Sequence, residues 1–341
     1  MLPFVWSADC LRHEPEAEIW VGTRTPATEV PARTVAIRGE LVAAGAREVA
    51  ATAHDDSALL AVHDPALVEF LRTASDEWSA ASLPSDRVVP YVFAREELTS
   101  GRTPAPPTAV WARPGLFAYD TMTLIGPGTW EAARAAVDVA LTAVDLVAGG
   151  EPLAYACTRP PGHHVTRSLY GGSCYLNNTA VAAHALLGRV GGPVAVVDVD
   201  AHHGNGTQEL FLGRTDVLTT SVHVDPGAGW FPHFLGFAAE NDDGNLNLPL
   251  APGSPDIAWL AAVQRAAKFA APAKGLVVAL GVDAAAGDPE SPLEVSTAGY
   301  REAGRILGDL GLPTVVVQEG GYDLAAIGPL VVETLAGLAT V

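Results

Sequence analysis

With 341 residues, 49 % of them apolar, and 34 glycines and 26 prolines, the chain can build a sizeable core with many turns, which excludes a disordered protein. Its formal net charge of −19 argues against nucleic acid and anionic membranes as partners, and is compatible with steering of cationic substrates. The three cysteines, Cys10, Cys157 and Cys174, are an odd number without a CxxC pair, so small buried thiols are expected and no disulfide framework.

The first ten residues carry no basic segment, and no uninterrupted run of about 18 apolar residues occurs anywhere, so neither signal peptide nor membrane span is expected and a cytoplasmic protein is. Residues 2–6 read as a strand and 32–44 as an amphipathic helix. Asp64-Pro65 signals a second helix reaching about residue 73, with Pro65 in its first turn. Residues 79–118 lack periodicity and hold Pro84, Pro90, Pro104, Pro106, Pro107 and Pro114, a loop long enough to imply a function or an interface. Thr129 is placed as the cap of an Ala-rich helix that ends before Gly149-Gly150. From there strands at 153–158, 194–199, 217–223, 275–280 and 314–318 alternate with helices at 178–187, 206–212, 255–269, 296–307 and 324–338, and 224–255 reads as irregular. That alternation predicts βαβ units in a single α/β domain over 1–341: a mainly parallel multi-stranded sheet flanked by helices.

Ligands of open α/β sheets sit beyond the carboxyl ends of the strands. Here those ends carry Arg159-Pro160-Pro161-Gly162-His163-His164, Asp198-Val199-Asp200-Ala201-His202-His203-Gly204-Asn205-Gly206, His223-Val224-Asp225, Gly281-Val282-Asp283 and Glu319-Gly320-Gly321-Tyr322. On extended backbone Asp200 and His202 point to one side, with Asp198 one step further in. Carboxylates and an imidazole on one face suit a divalent transition metal, and Asp200, His202 and Asp283 are three ligands that leave room for water and substrate, the pattern of a catalytic zinc. The His163-His164 pair is the candidate proton carrier, oriented by Asp198 and Asn205. His164 on Asn205 is expected to act as general base and then acid; His163 on Asp198, with its charge favoured, as an electrostatic stabiliser. Tyr322 can donate a hydrogen bond to a developing oxyanion. His203 and His223 read as supporting residues, and His13, His54, His63, His184 and His233 as structural.

These motifs, with Gly172-Ser173-Cys174-Tyr175-Leu176-Asn177-Asn178, resemble in order and spacing the zinc-dependent histone deacetylase-like proteins of the arginase–deacetylase superfamily. The similarity is closest to bacterial acetylpolyamine amidohydrolases, and extends to Val62-His63-Asp64, Pro127-Gly128-Thr129-Trp130-Glu131 and Phe231-Pro232-His233-Phe234-Leu235-Gly236. The resemblance implies the arginase–deacetylase fold and deacetylation of an amide, with one Zn²⁺ on Asp200, His202 and Asp283. It further implies K⁺ or Na⁺ as structural ions, one near Asp198, Asp200, His202 and Ser221 and another near Phe211. Gly172, Ser173 and Phe231 are implied as walls of the substrate slot, and the 79–118 loop as the seat of a homodimer.

The chain departs from that pattern twice. Ser173 stands where the family has an aromatic wall, which should widen the slot. Trp111 and Met122 stand where polyamine-type members carry acidic residues, so a distal ammonium lacks its partner unless nearby Asp120 substitutes. The expected substrate is a small N-acyl amine, either an acetylpolyamine or a bulkier compound. Protein lysine deacetylation is the alternative within the class, and a non-catalytic ligand-binding protein the alternative outside it. Ala284-Ala285-Ala286 after Asp283 disfavour the second metal of an arginase.

Overall fold

In a computed structural model describing residues 1–339, ten segments form strands; residues 340–341, which the span read from sequence includes, lie outside the described residues. In chain order these are β1 (Pro3–Trp6), β2 (Ala17–Trp20), β3 (Thr23–Pro26), β4 (Arg47–Ala50), β5 (Leu153–Ala156), β6 (Val194–Asp198), β7 (Val217–Val224), β8 (Asn245–Leu250), β9 (Gly275–Leu280) and β10 (Thr314–Gln318). Eight of them make one parallel sheet in the order β4-β1-β5-β10-β9-β6-β7-β8, and β2 and β3 pair as a separate antiparallel hairpin.

The middle strands β5, β10, β9 and β6 are buried along their whole length, as expected where helices cover both faces of a parallel sheet. Alternate residues serve opposite layers. Val315 and Val317 of β10 pack with Ala136, Val181 and Leu67 from helices Thr129–Ala148, Asn178–Val190 and Pro65–Ala80. Val316 faces the other layer, where Trp259, Tyr300, Leu330 and Ile37 come from helices Asp256–Ala270, Thr297–Gly308, Ile327–Leu338 and Ala32–Ala43. Each such side chain contributes roughly 1.5–3 kcal/mol by leaving water. Because β5, β10, β9, β6 and β7 are neighbours and parallel, their carboxyl ends lie side by side along one edge.

Several local expectations are corrected. The second helix runs on to Ala80 instead of stopping near residue 73, because Ala74 and Trp78 continue its buried face; the irregular loop therefore begins just after it. The 224–255 stretch contains β8, whose buried Asn245 and Asn247 broke the apolar pattern. These amides bond Gln208, which explains buried polar residues on this edge strand. Thr129 is the first helical residue and not a cap: its Oγ1 accepts from Gly126 N at 2.9 Å, while Gly128, at φ +81°, precedes the helix. The hairpin, β4 and the short helix Ser57–Val62 had no clear sequence signal.

Candidate active site

The carboxyl ends of β5, β6, β9 and β10 deliver their functional side chains to a common point. From β6, Asp198 Oδ1 accepts from Asp200 N, and Asp200 Oδ1 accepts from His202 N at 2.8 Å, so each side chain fixes the turn that presents the next. From the end of β10, Gly320 N donates to Asp200 Oδ2 at 2.7 Å. A Cβ at Gly320 would lie 2.5 Å from both Asp200 and Asp283 carboxylate oxygens, so only glycine permits this approach. After β9, Asp283 Oδ1 accepts from Ala201 N at 2.9 Å.

The His202 Nδ1 atom then lies 3.1 Å from Asp200 Oδ1 and 3.0 Å from Asp283 Oδ2. Ligand atoms at tetrahedral positions about 2.0–2.1 Å from a zinc ion stand about 3.3 Å apart, close to this triangle. Asp198, Asp200 and Asp283 are at most 1 % exposed, and their only ion-pair partners among the described residues are His163 and His202. Burial, together with the Asp200 charge, pushes Asp283 up to about 7. Against its own burial, the flanking carboxylates raise His202 well above its ordinary value. A set of buried acids this short of positive charge fits a divalent cation, and Asp200, His202 and Asp283 form a group that could hold a metal ion.

The paired imidazoles come from the end of β5. His163 Nδ1 donates to Asp198 Oδ2 at 2.9 Å, and His164 Nδ1 donates to Asn205 Oδ1 at 2.7 Å. A side-chain amide oxygen only accepts, so the His164 proton sits on Nδ1 and Nε2 keeps a basic lone pair. Burial would lower both rings. For His163 the charges of Asp200 and Asp198 prevail and push it up to about 10. For His164 burial is reinforced by the neighbouring His163 and His202, and it falls well below its ordinary value. The two rings are thus shifted in opposite directions, His163 toward its charged form and His164 toward its neutral one. Glu319 fixes the backbone that carries them, accepting from Gly162 N and His163 N.

Tyr322 closes the opposite side. Arg33 is packed over its ring, 4.7 Å from the centroid, while donating to the Gly321 and Glu319 carbonyls. Burial keeps the phenol well above its ordinary value, so it remains an O–H donor.

A cavity of about 650 Å³ opens above this floor, with His164, His202 and Tyr322 at its base. Gly172, Ser173, Met122 and Phe231 are on its wall. Gly172 has φ +61°, and a Cβ there would lie 2.4 Å from His164 Cδ2. Trp111 is not brought to the slot: it is 48 % exposed on the one-turn helix Val110–Ala112 of the proline-rich loop, which holds it at the surface. Asp120 is no replacement receptor either. Its oxygens accept from Met122 N, Thr123 N, Thr123 Oγ1 and Gly172 N, so it braces the wall.

Of the remaining histidines, His203 bonds Gln208 and Asn247, His223 bonds Ser221 and Gly236, and His63 accepts from Asn177 N, all supporting roles. His233, read as structural, is instead an exposed residue of the slot wall. Ser221 lies beside Asp198 in the β6–β7 register, and Phe211 ends the helix Asn205–Phe211 with Arg214 stacked on its ring. The residues missed from sequence are those of the mouth, Glu18 and Trp20 of β2 and Glu290 after β9. Glu290 had one available signal, its position shortly after the strand end that carries Asp283; Glu18 had none.

A histone deacetylase domain profile matches residues 27–338. The acetylpolyamine amidohydrolase of Mycoplana ramosa is 37 % identical over 345 residues, spanning 98 % of this chain and 99 % of that protein. Acetylpolyamine amidohydrolase 1 of Pseudomonas aeruginosa is 38 % identical over 343 residues, 98 % and 97 % of the two chains. The crystal structure of an acetylpolyamine aminohydrolase from Burkholderia pseudomallei superimposes with a TM-score of 0.93 at 34 % identity, covering 100 % of this chain and 99 % of that one. The likeness runs through the parallel sheet and every strand end just described, and the chain belongs to the histone deacetylase domain family, as a hydrolytic enzyme.

Proposed function

We propose that the chain is a zinc-dependent amidohydrolase that removes an acetyl, or another small acyl, group from an amine, with an acetylpolyamine or a bulkier N-acyl amine as substrate. The carrying observation is the arrangement round the triad: His164, bonded to Asn205, and Tyr322 line the base of the same slot as His202, while His163, paired with Asp198, lies against His164. Zinc on Asp200, His202 and Asp283 would supply Lewis acidity to the amide carbonyl and a nucleophile from bound water. His164 takes a proton at Nε2 as the carbonyl is attacked and returns it to the leaving amine, while Asn205 keeps the ring in that tautomer. The imidazolium of His163 offsets the negative charge that develops beside it, and the Tyr322 hydroxyl donates to the oxyanion. Phe231 shields one side of the slot, and Gly172 lets His164 approach it.

The same proposal includes a monovalent cation beside Asp198 and Ser221 and a second near Phe211, supported by the adjacency of Asp198 and Ser221 on paired strands. It includes a homodimer through the 79–118 loop, whose Tyr91, Leu98 and Trp111 are 70, 65 and 48 % exposed and supply apolar surface. No helix among the described residues is long and apolar enough to cross a membrane, and three unpaired buried thiols suit the reducing cytoplasm. The relatives named for acetylpolyamines favour a small amide over the protein lysine deacetylase alternative. Purified enzyme is expected to hold one zinc per chain and to hydrolyse N-acetylputrescine. A zinc-loaded preparation inert toward that compound and toward a fluorogenic acetyl-lysine peptide would overturn the reading.

A further inference from the structure

His163, His164 and His202 are each oriented by a hydrogen bond to a side-chain oxygen. The Tyr322 side chain has no such bond among the described residues; its ring meets Arg33, and its position otherwise follows from its backbone. That backbone comes directly after Gly320-Gly321, with Gly321 at φ +119°. Glycines leave a turn many conformations to lose, yet a hydrogen-bond donor stabilises a developing oxyanion only when it is already in place. Something must therefore hold this turn.

Asp288 does so from the loop after β9. It is 8 % exposed, and its Oδ1 accepts from Glu290 N at 2.9 Å, which closes a local turn and fixes its own side chain. Its Oδ2 is left to face the end of β10, where it accepts from Tyr322 N at 2.8 Å and Asp323 N at 3.2 Å. From the other side Arg33 donates to the Glu319 and Gly321 carbonyls, both at 2.6 Å. Peptide groups on either side of the second glycine are thus gripped by opposite charges, through the stronger, charge-assisted class of hydrogen bond. Pro289 and Glu290 line the slot while Asp288 does not, so Asp288 reaches the chemistry only through Tyr322.

We propose that Asp288 is a positioning residue for the Tyr322 hydroxyl: the two bonds at its Oδ2 hold the diglycine turn in the conformation that aims the phenol at the reacting carbonyl. This rests on the amidohydrolase reading and goes beyond it by assigning what aims the oxyanion donor. The local turn alone needs only Oδ1; the bonds at Oδ2 span 34 and 35 residues to another strand's end and add nothing to it. Asparagine cannot replace this carboxylate, because its amide offers one accepting oxygen and turns N–H groups toward N–H groups on the other side. Serine can still close the local turn on Glu290 N but leaves the Tyr322 and Asp323 amides without an acceptor.

The test compares wild type, D288N, D288S, Y322F and D288N/Y322F on N-acetylputrescine, with zinc content, thermal melting and hydrogen exchange of the 319–326 segment measured on each. D288N is expected to lower kcat by about tenfold to a hundredfold, part of what a lost oxyanion donor costs, with KM within about twofold and zinc retained. The amides of 319–326 should exchange faster. In the Y322F background the same substitution should cost less than about threefold more, since no hydroxyl is left to aim. D288S should repeat this pattern, and it carries the comparison if D288N does not fold. Wild-type kcat in either variant, a loss that multiplies in full onto that of Y322F, or a loss accompanied by loss of zinc overturns the proposal while leaving the amidohydrolase reading intact. A wild type inert toward N-acetylputrescine and acetyl-lysine would remove that reading itself.

Discussion

The floor and the mouth of the slot are built on opposite principles. At the floor, Asp198, Asp200 and Asp283 are buried, and each carboxylate accepts from a backbone N–H, that of Asp198 from its own strand end and those of Asp200 and Asp283 from another strand's end. At the mouth, Glu18 and Glu290 are half-buried carboxylates without ion partners among the described residues, carried by a two-stranded hairpin and a loop. Pre-organised polar groups in a dry site accelerate a reaction whatever amine is attached to the acyl group. Groups that remain unsatisfied until a ligand arrives select the ligand instead. The contrast therefore separates reaction from substrate, and each half can be broken alone.

The largest expected effect is at the floor. Asp283→Ala removes a metal ligand and strands Ala201 N–H without its acceptor; the purified variant should contain no stoichiometric metal and show no measurable turnover. Asp283→Asn keeps an acceptor for Ala201 and should equally lose metal and activity, with a thermal melt closer to the wild type. Retained stoichiometric zinc in either variant would show that the ligand set is wrong. Tyr322→Phe comes next. It leaves the ring beneath Arg33 and the backbone bond to Asp288, deleting only the hydroxyl. Turnover should fall by roughly two to three decades, with bound metal unchanged. Undiminished turnover would remove Tyr322 from the chemistry.

The floor was legible in the sequence because its residues end strands with an unmistakable pattern. The apolar runs ending at Leu280 and Gln318 mark buried parallel strands to the residue, and the next few positions of each must lie on the ligand edge. The same placement put Asp198 and Asn205 within reach of the two imidazoles, and the structure pairs His163 with Asp198 and His164 with Asn205. The mouth was not legible, since nothing local requires it. Glu18 lies in His13-Glu14-Pro15-Glu16-Ala17-Glu18, where three acids alternate with other residues and only a tertiary contact tells which one turns inward. Strand β8 escaped for a related reason: its inward asparagines answer Gln208, a partner outside the local pattern. Trp111 was misplaced because position along a loop says little about which surface that loop reaches.

A smaller effect would sharpen the mouth's half of the contrast. Burial, then the Glu290 charge, with Glu29 and Asp120 acting in the same direction and the Thr28 N–H opposing, raises Glu18 to about 7. Below that pH it is protonated and attracts a cation weakly; above it the carboxylate is charged and attraction grows, while an alkylammonium of ordinary pKa stays protonated throughout. The ratio of kcat/KM for N-acetylputrescine to that for N-pentylacetamide, its uncharged isostere, should therefore rise a few-fold between about pH 6 and 8. In E18Q the ratio should be flat. A flat ratio in the wild type would mean that Glu18 does not sense the substrate charge.

The smallest expected effect concerns the width of the passage between floor and mouth. Ser173 sits at φ +59° with its N–H held by Thr123 Oγ1 at 2.8 Å, and it lines the cavity together with Phe231. Serine and tyrosine both carry a Cβ, so Ser173→Tyr adds no new class of backbone strain at this left-handed position. What it adds is a ring on the wall that serine leaves open, able to press a slender alkyl chain and to obstruct a broad one. The ratio of kcat/KM for N-acetylputrescine to that for a branched N-acyl arylalkylamine should rise several-fold, with zinc content and the pH dependence of the charge selection unchanged. A ratio that stays put would place Ser173 outside the path of the substrate, and the slot's width would then have to be set by Phe231 and Met122 alone.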